Sequence, residues 1–250
     1  MAEHDPTAYG RHIADDYDRL YERLAPDTDQ AVACLAELAA GGPVLELGVG
    51  TGRLALPLAA RGLSVHGIDA SPEMVARLRA KPGGDRVAVE LADFTTLDLG
   101  TEFALVLLAV NTIYALPSQD AQVAVFQTAA RHLRPGGMFV VDAWVPDLGR
   151  FRGGQALRVL DVAEDAVVVE AALLDPVGQR MTTTKVVYGD DRVRLFPANH
   201  RYAWPAELDL MARIAGLRLR SRWSGWDRRP FTADSTMHVS VWARPGPPSG

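Results

Sequence analysis

The chain holds one cysteine, Cys34, among 250 residues. An intramolecular disulfide is therefore excluded. The apolar helical stretch Ala31-Val32-Ala33-Cys34-Leu35 makes this thiol a small core residue by expectation. Lysine is nearly absent, with only Lys81 and Lys185, and the net charge is −5. That balance argues against a nucleic-acid or membrane-surface binder. No apolar run approaches the ~20 residues that span a bilayer. No basic segment followed by an apolar one opens the chain, so a cytoplasmic location is expected. The six histidines, His4, His12, His66, His132, His200 and His238, never pair at metal-ligand spacing, and no metal is expected.

What is present is a core, with 48% apolar residues, in a length that fits one large domain or one domain with an insertion. It is organised around Val44-Leu45-Glu46-Leu47-Gly48-Val49-Gly50-Thr51-Gly52-Arg53. The apolar run reads as a buried parallel strand, the glycines as a turn, and Leu54 to Ala60 as a helix, with a kink expected at Pro57. Gly48, Gly50 and Gly52 remove side chains where a ligand's polar tail would meet backbone N–H groups. Seventeen residues after Gly52, at the end of a second apolar run, stands Asp69. An acid at that strand tip is where a nucleoside ribose presents its hydroxyls. The spacing is G-x-G-x-G, not the dinucleotide G-x-G-x-x-G. A tight turn suits a nucleoside without a pyrophosphate, such as S-adenosylmethionine (SAM).

The pair Glu46-Leu47-Gly48-Val49-Gly50-Thr51-Gly52 and Gly67-Ile68-Asp69-Ala70-Ser71-Pro72-Glu73-Met74 resembles the class I SAM-dependent methyltransferases. The resemblance implies an α/β fold: a Rossmann-like seven-stranded sheet whose last two strands form an antiparallel pair. It is close over residues 40 to 145, with Arg134-Pro135-Gly136-Gly137 as the family's turn before strand five. It also implies SAM as cofactor, with S-adenosylhomocysteine as product. The expected cofactor set is Glu46 at the turn or the ammonium, the three glycines and Val49 at the methionine tail, and Arg53 at its carboxylate. Asp69 and Ala70 are expected at the ribose, Met74, Asp93 and Phe94 at the adenine, and Val110 at the end of strand four. Tyr9 and Tyr17 belong to an N-terminal helix, like the "Y-D-x-x-Y" helix that lies over the cofactor in small-molecule methyltransferases, where aromatic rings suit a sulfonium.

Strand tips on this side of an open parallel sheet face the ligand. Asn111, Tyr114 and Trp144 are therefore expected at the acceptor, with Tyr21 and Arg201. Catalytic roles are expected for His200, as a base with a near-neutral pKa, and for Asn111 and Tyr17. Arg218, Arg220 and Arg222 alternate on one strand and so share a face, read as solvated. Residues 1–144 form the SAM-binding core with N-terminal cap helices. Residues 145–204 form an inserted antiparallel β lid of three strands, over the acceptor or at a dimer surface. Residues 205–244 complete the core, and 245–250 form a disordered tail.

Within the family, the N-terminal tyrosines, the Asp142-Ala143-Trp144 exit of strand five and the β insert resemble amino-sugar and antibiotic-tailoring N-methyltransferases. Those sugar enzymes tend to carry a histidine after strand four, where this chain has Tyr114-Ala115. The expected reaction is methyl transfer to a small-molecule acceptor, at nitrogen of a secondary metabolite, with oxygen or carbon left open. RNA or protein methylation is disfavoured by the acidic charge and by Asn111-Thr112-Ile113-Tyr114 standing where an Asn-Pro-Pro-aromatic motif would. A non-catalytic SAM-binding protein is the weakest alternative. No nucleic acid or membrane partner is expected, and a homodimer is left open.

Overall fold

Residues 14, 17–25, 27–189 and 192–246 are described by the structure, a computed structural model. Helices α1 (Tyr17–Leu24) and α2 (Thr28–Ala39) precede β1 (Val44–Leu47). Then follow α3 (Ala55–Ala60), β2 (Val65–Asp69), α4 (Pro72–Ala80), β3 (Ala88–Leu91), β4 (Phe103–Leu108), α5 (Thr112–Ala115), α6 (Gln119–His132) and β5 (Leu133–Trp144). Four consecutive strands come next: β6 (Gln155–Val162), β7 (Ala166–Asp175), β8 (Arg180–Gly189) and β9 (Arg192–Arg201). Helix α7 (Pro205–Ile214) and strands β10 (Arg218–Trp223) and β11 (Met237–Ala243) close the chain.

The main sheet has the order β10-β11-β5-β4-β1-β2-β3. Strands β1 to β5 run parallel, and β11 runs antiparallel to both β5 and β10. Every residue of β1 and β4 is buried, as strands covered on both faces require. Two apolar layers do the covering. Val125, Phe126 and Ala129 of α6, with Leu208 and Met211 of α7, pack on one face. Ala31, Val32, Cys34 and Leu35 of α2, with Ala55 and Leu58 of α3, pack on the other. Cys34 is free and buried there.

Local sequence sets the element starts. Ser71 caps α4 by accepting the Met74 amide, and Pro72 takes the first helical position. Ser118 caps α6 in the same way. Helix α3 begins at Ala55, so Pro57 lies in its first turn, where a missing N–H breaks no helical bond. The expected kink has no cause there. A register shift between Leu219 and Ser221 pairs Arg218 with Ala243 but Arg222 with Ser240. The bulge puts Arg222 on the opposite face from Arg218. There it ion-pairs with Asp209 at 2.7 Å, so the expected single-faced arginine stripe is broken.

The second sheet is an antiparallel meander, β6-β7-β8-β9. It has four strands where the sequence reading expected three. The missed strand, β6, carries Leu157 and Val159 alternating with Arg158, a pattern of period two. One face of the meander packs on α1, through Val168, Val187 and Phe196 against Leu20, Tyr17 and Tyr21. Farther along the same face, Ala172 and Met181 meet Tyr202, Trp144 and Phe151. Among the described residues no helix is long and apolar enough to cross a membrane.

Candidate active site

The glycine turn after β1 is tied to the end of β2. The amides of Gly48 and Val49 both donate to the Ile68 carbonyl, at 2.7 and 2.9 Å. Asp69 takes the Gly50 amide on Oδ2 at 2.8 Å and the Ser71 amide on Oδ1 at 2.9 Å. The turn's amides thus go largely to the protein itself, not outward as the sequence reading expected. The glycines do different work. A side chain at Gly50, φ +56°, would enter open space, so this residue keeps the backbone accessible to a ligand. A side chain at Gly52 would strike Leu56 at 2.9 Å and Leu78 at 3.0 Å, so this residue lets α3 and α4 close on the turn.

Helix α1 is pinned over the turn. Asp18 accepts from the Thr51 hydroxyl at 2.6 Å and pairs with Lys81 at 2.7 Å, while Lys81 also donates to the Thr51 carbonyl. Tyr17 and Tyr21 stack with ring centroids 4.3 Å apart. Burial raises the Tyr17 phenol well above its usual value, helped by Tyr21, so it remains protonated. Both lysines of the chain serve this region, since Lys185 on β8 lies 5.8 Å from the Tyr21 ring centroid. Tyr9 lies outside the described residues.

Beneath the turn lies a group of acids with one cation. Glu46 is 4% exposed, and its Oε2 is buried with no hydrogen-bond partner. Burial pushes its carboxyl up to about 8, against the pull of Arg53 and with Asp69 and Asp142 adding to the rise. Asp142, at the exit of β5, is raised by burial to about 6. Burial raises Asp69 too. Arg53 donates to the Thr28 hydroxyl at 2.8 Å and attracts both Glu46 and Asp142. Two buried carboxyls, Glu46 and Asp142, that share one guanidinium, with the half-buried Asp69 acting on Glu46, suit a ligand that brings positive charge.

The exits of β4 and β5 are clamped together. Val110 and Asn111 both have left-handed backbones, φ +54° and +62°. For a β-branched residue this is an outlier that its surroundings must hold. Asp142 does so, accepting the Val110 amide on its side chain and the Asn111 amide on its carbonyl. The Asn111 side-chain oxygen accepts the Trp144 amide at 2.7 Å, which fixes that side chain in place.

Other expected acceptor residues have different posts. Tyr114 is fully buried; its hydroxyl lies 2.8 Å from the Ala203 carbonyl and 3.0 Å from that of Trp144. It is a core residue whose ring supports Trp144, 4.5 Å away between centroids. Arg201 also departs from expectation. It points away from the site, because neighbours along a strand face opposite sides. Its guanidinium is engaged by Gln122, Gln179 and Glu207. His200 faces inward, edge-on to Trp144, with one ring nitrogen 3.2 Å from the Thr183 hydroxyl and Nδ1 buried without a partner. Burial, with Lys185 adding to it, lowers His200 to about 4. The ring is therefore neutral at pH 7, not the near-neutral base expected.

Of the residues expected at the adenine, Phe94 lies beside Gly48, 3.8 Å from where a side chain there would begin. Asp93 is exposed and holds the Thr95 amide and hydroxyl on Oδ1. Met74 is buried among Leu20, Val168 and Phe196. Val49 is buried, while Ala70 and Val110 are partly exposed near Asp69 and Asn111.

This geometry is matched by known proteins. Residues 44–137 match the family model for a methyltransferase domain. A cypemycin N-terminal methyltransferase from a Streptomyces species is 30% identical over 96% of this chain and 99% of its own length. This chain belongs to the class I SAM-dependent methyltransferases. The CcbJ methyltransferase of Streptomyces caelestis is 42% identical, with a TM-score of 0.90 covering 97% of this chain and all of that one. The sugar N-methyltransferase KedS8 of a Streptoalloteichus species shares the fold, with a TM-score of 0.64 at 24% identity over 96% and 98% of the two chains.

The methyltransferase cofactor is SAM, and the site fits it. The accessible backbone at Gly50, the unpartnered Glu46 oxygen and the excess of carboxyls answer to a ligand with an ammonium and a sulfonium. Sequence reasoning gave no site role to Asp18, Lys81, Asp142 or Lys185, although Asp18 stands in the Y-D-x-x-Y motif and Asp142 in the strand-five exit motif it singled out. Strand pairing is what brings Asp142 against Val110 and Lys185 toward Tyr21.

Proposed function

We propose that this methyltransferase acts on an amine nitrogen of a small secondary-metabolite acceptor. The observation that carries the nitrogen assignment is the end-to-end relation to an enzyme named for methylating an N-terminus. The β6–β9 sheet supports a small acceptor, since its inner face packs on α1 and Trp144.

Bound SAM supplies an electrophilic methyl group on a positively charged sulfur. The protein's part is to orient and to exclude water. Glu46 would hold the ammonium and Asp69 the ribose hydroxyls, with oxygen lone pairs left beyond its two backbone bonds. Arg53 would serve the carboxylate, with Asp93, Phe94 and Met74 around the adenine. Tyr17 and Tyr21 wall the acceptor side, with Asn111 fixing Trp144. The neutral His200 would accept an N–H from the acceptor through Nδ1, which turns the nitrogen lone pair toward the methyl group. Methylation leaves a protonated amine. At neutral pH an imidazole with so low a pKa does not keep that proton, which passes to solvent.

The relative also favours a second reading, a short peptide whose N-terminal amine is the acceptor. One experiment tests both. The protein is incubated with SAM carrying a labelled methyl and with paired acceptors, amino sugars, cyclic amines and short peptides against their hydroxyl counterparts, with Asp69→Ala as control. Label on nitrogen, located by mass spectrometry and NMR and absent from the control, is expected. Label confined to oxygen, carbon or RNA would overturn the proposal.

A further inference from the structure

The inner face of the β6–β9 sheet packs on Tyr17 and Tyr21 at one end and on Trp144 at the other. Between these two apolar contacts it is charged. Opposed residues on an antiparallel ladder share a face. One row therefore holds Arg158, Glu170, Lys185 and Phe196, and the next holds Ala156, Ala172, Thr183 and Ala198. The row after that brings Leu174 and Met181 to His200. On β8 and β9 only the small Thr183 and Ala198 stand between the rows of Lys185 and His200. The Lys185 ammonium is near enough to add to the lowering of the His200 pKa, so the two side chains act on the same space.

The charges of these rows do not balance. Glu170 is 6% exposed, and its Oε1 accepts from Arg150 at 3.3 Å and from Arg158 at 3.0 Å. One carboxylate is thus engaged by two guanidiniums. Lys185 stands opposite Glu170 on the ladder, yet among the described residues no carboxylate pairs with it. It is half-buried, with its ammonium 5.8 Å from the centroid of the Tyr21 ring. The other lysine of the chain, Lys81, does have an acid, Asp18. A cation taken partly out of water without a counter-ion is costly until a ligand brings one. In a chain of net charge −5, a surplus of positive charge at this one wall marks the place of an anion.

We propose that the methyl acceptor carries a carboxylate and that Lys185 receives it. For the reacting atom this rests on the nitrogen reading above, under which the acceptor is an amino acid. The wall then reads as two posts for one small molecule. His200, neutral and with Nδ1 unpartnered, takes an N–H of the amine. Lys185 takes the carboxylate through a charge-assisted hydrogen bond. A carboxylate suits this wall better than a phosphate. Phosphates are matched by the forked donors of arginine, and here both guanidiniums are held by Glu170, while Lys185 offers a single point charge. Lys185 is a specificity residue in this arrangement, because it touches the part of the acceptor that does not react.

The test sets acids against their amides as acceptors with methyl-labelled SAM: proline and prolinamide, alanine and alaninamide, and the hydroxy acid lactate with lactamide. Wild type is expected to favour the acid of a pair by about tenfold or more in kcat/KM, as a hydrogen bond between charged groups provides. Lys185→Met is expected to bring that ratio to about one, through KM, and Lys185→Arg to restore it. Calorimetry of the same acids on the protein loaded with S-adenosylhomocysteine reads the contact without turnover, and Lys185→Met should weaken binding by a similar factor. Far-UV dichroism and SAM affinity show whether the variant is folded. Should it not fold, the wild-type ratio and calorimetry decide. Equal use of acids and amides, or a ratio that survives in folded Lys185→Met, overturns the proposal. Label on the nitrogen of amides alone does so too, and leaves nitrogen methylation standing. Acid preference confined to lactate, with label on its hydroxyl oxygen and lost in Lys185→Met, supports the carboxylate contact and removes the nitrogen reading instead. A preference for O-phosphoethanolamine over ethanolamine without one for any acid overturns the proposal, as does neither label nor binding with any pair.

Discussion

The carboxylate of Asp142, at the exit of β5, accepts the amide of Val110, at the exit of β4, at 2.8 Å. Through this bond one strand end holds its neighbour in two successive left-handed residues, where the proposed cofactor and acceptor regions would meet. Releasing such a turn moves groups that must be placed within fractions of an ångström. Asp142→Leu is expected to lower kcat by on the order of 10²-fold. Asp142→Asn, which keeps an acceptor oxygen for Val110, is expected to retain most of it. Steady-state kinetics on both variants decides; wild-type kcat in Asp142→Leu would remove the turn from the mechanism.

The Glu46 carboxyl has a pH signature. Its folded pKa is raised, to about 8, by burial first and by neighbouring acids next. A raised acid contributes stability that is present in full below its unfolded value and is lost as pH rises through the folded one. The free protein is therefore expected to lose thermal stability between about pH 5 and pH 9, and Glu46→Gln to flatten that fall. SAM binding should work the other way, favouring the carboxylate and releasing a proton. Calorimetry near pH 7 in buffers of different ionisation enthalpy measures that release, which should shrink in Glu46→Gln.

Gly50 and Gly62 make a matched pair. Both have positive φ, and a side chain at either would meet open space. Alanine at each is expected to cost about 1 kcal/mol of stability through the backbone. Only Gly50→Ala puts a methyl group on the ligand side of the turn, so it alone is expected to weaken SAM binding, by tenfold or more. Equal SAM affinities in the two variants would count against the turn as the methionine-tail site.

Arg201 separates a structural role from an acceptor-binding one. It is 9% exposed at the side chain, in a 2.7 Å pair with Glu207, itself 15% exposed. Removing one partner of so buried a pair costs about 3–5 kcal/mol. Arg201→Ala is expected to lower the unfolding midpoint in urea while KM for the acceptor stays at the wild-type value in the folded fraction. A raised KM without loss of stability would return Arg201 to the acceptor site.

Much of the fold was legible because its signals are local. The buried strands Val44–Leu47 and Phe103–Leu108 are runs of apolar residues that only a doubly covered parallel sheet accommodates. Ser71-Pro72 and Ser118 carry their caps in their own side chains. The glycine turn and Asp69 stand at a spacing that marks a nucleoside site. What failed was longer in range. His200 was read from its neighbours along the chain, but its protonation is set by burial and by Lys185 from the adjacent strand. Arg201 follows it directly and was grouped with it, yet strand geometry turns it away to α6 and α7. The stripe of Arg218, Arg220 and Arg222 assumed strict alternation, which one bulge undid.

By itself, then, the sequence determined the class of fold and the cofactor, because periodicity, glycine spacing and caps act within a few residues of each other. Only the tertiary structure decided which groups share the site. Asp142 lies against Val110, Lys185 against Tyr21 and Asp18 against Thr51 across separations that no local pattern encodes. The strand register, likewise a property of pairing, put Arg158, Glu170 and Lys185 together on one face of the second sheet and turned Arg201 to the other.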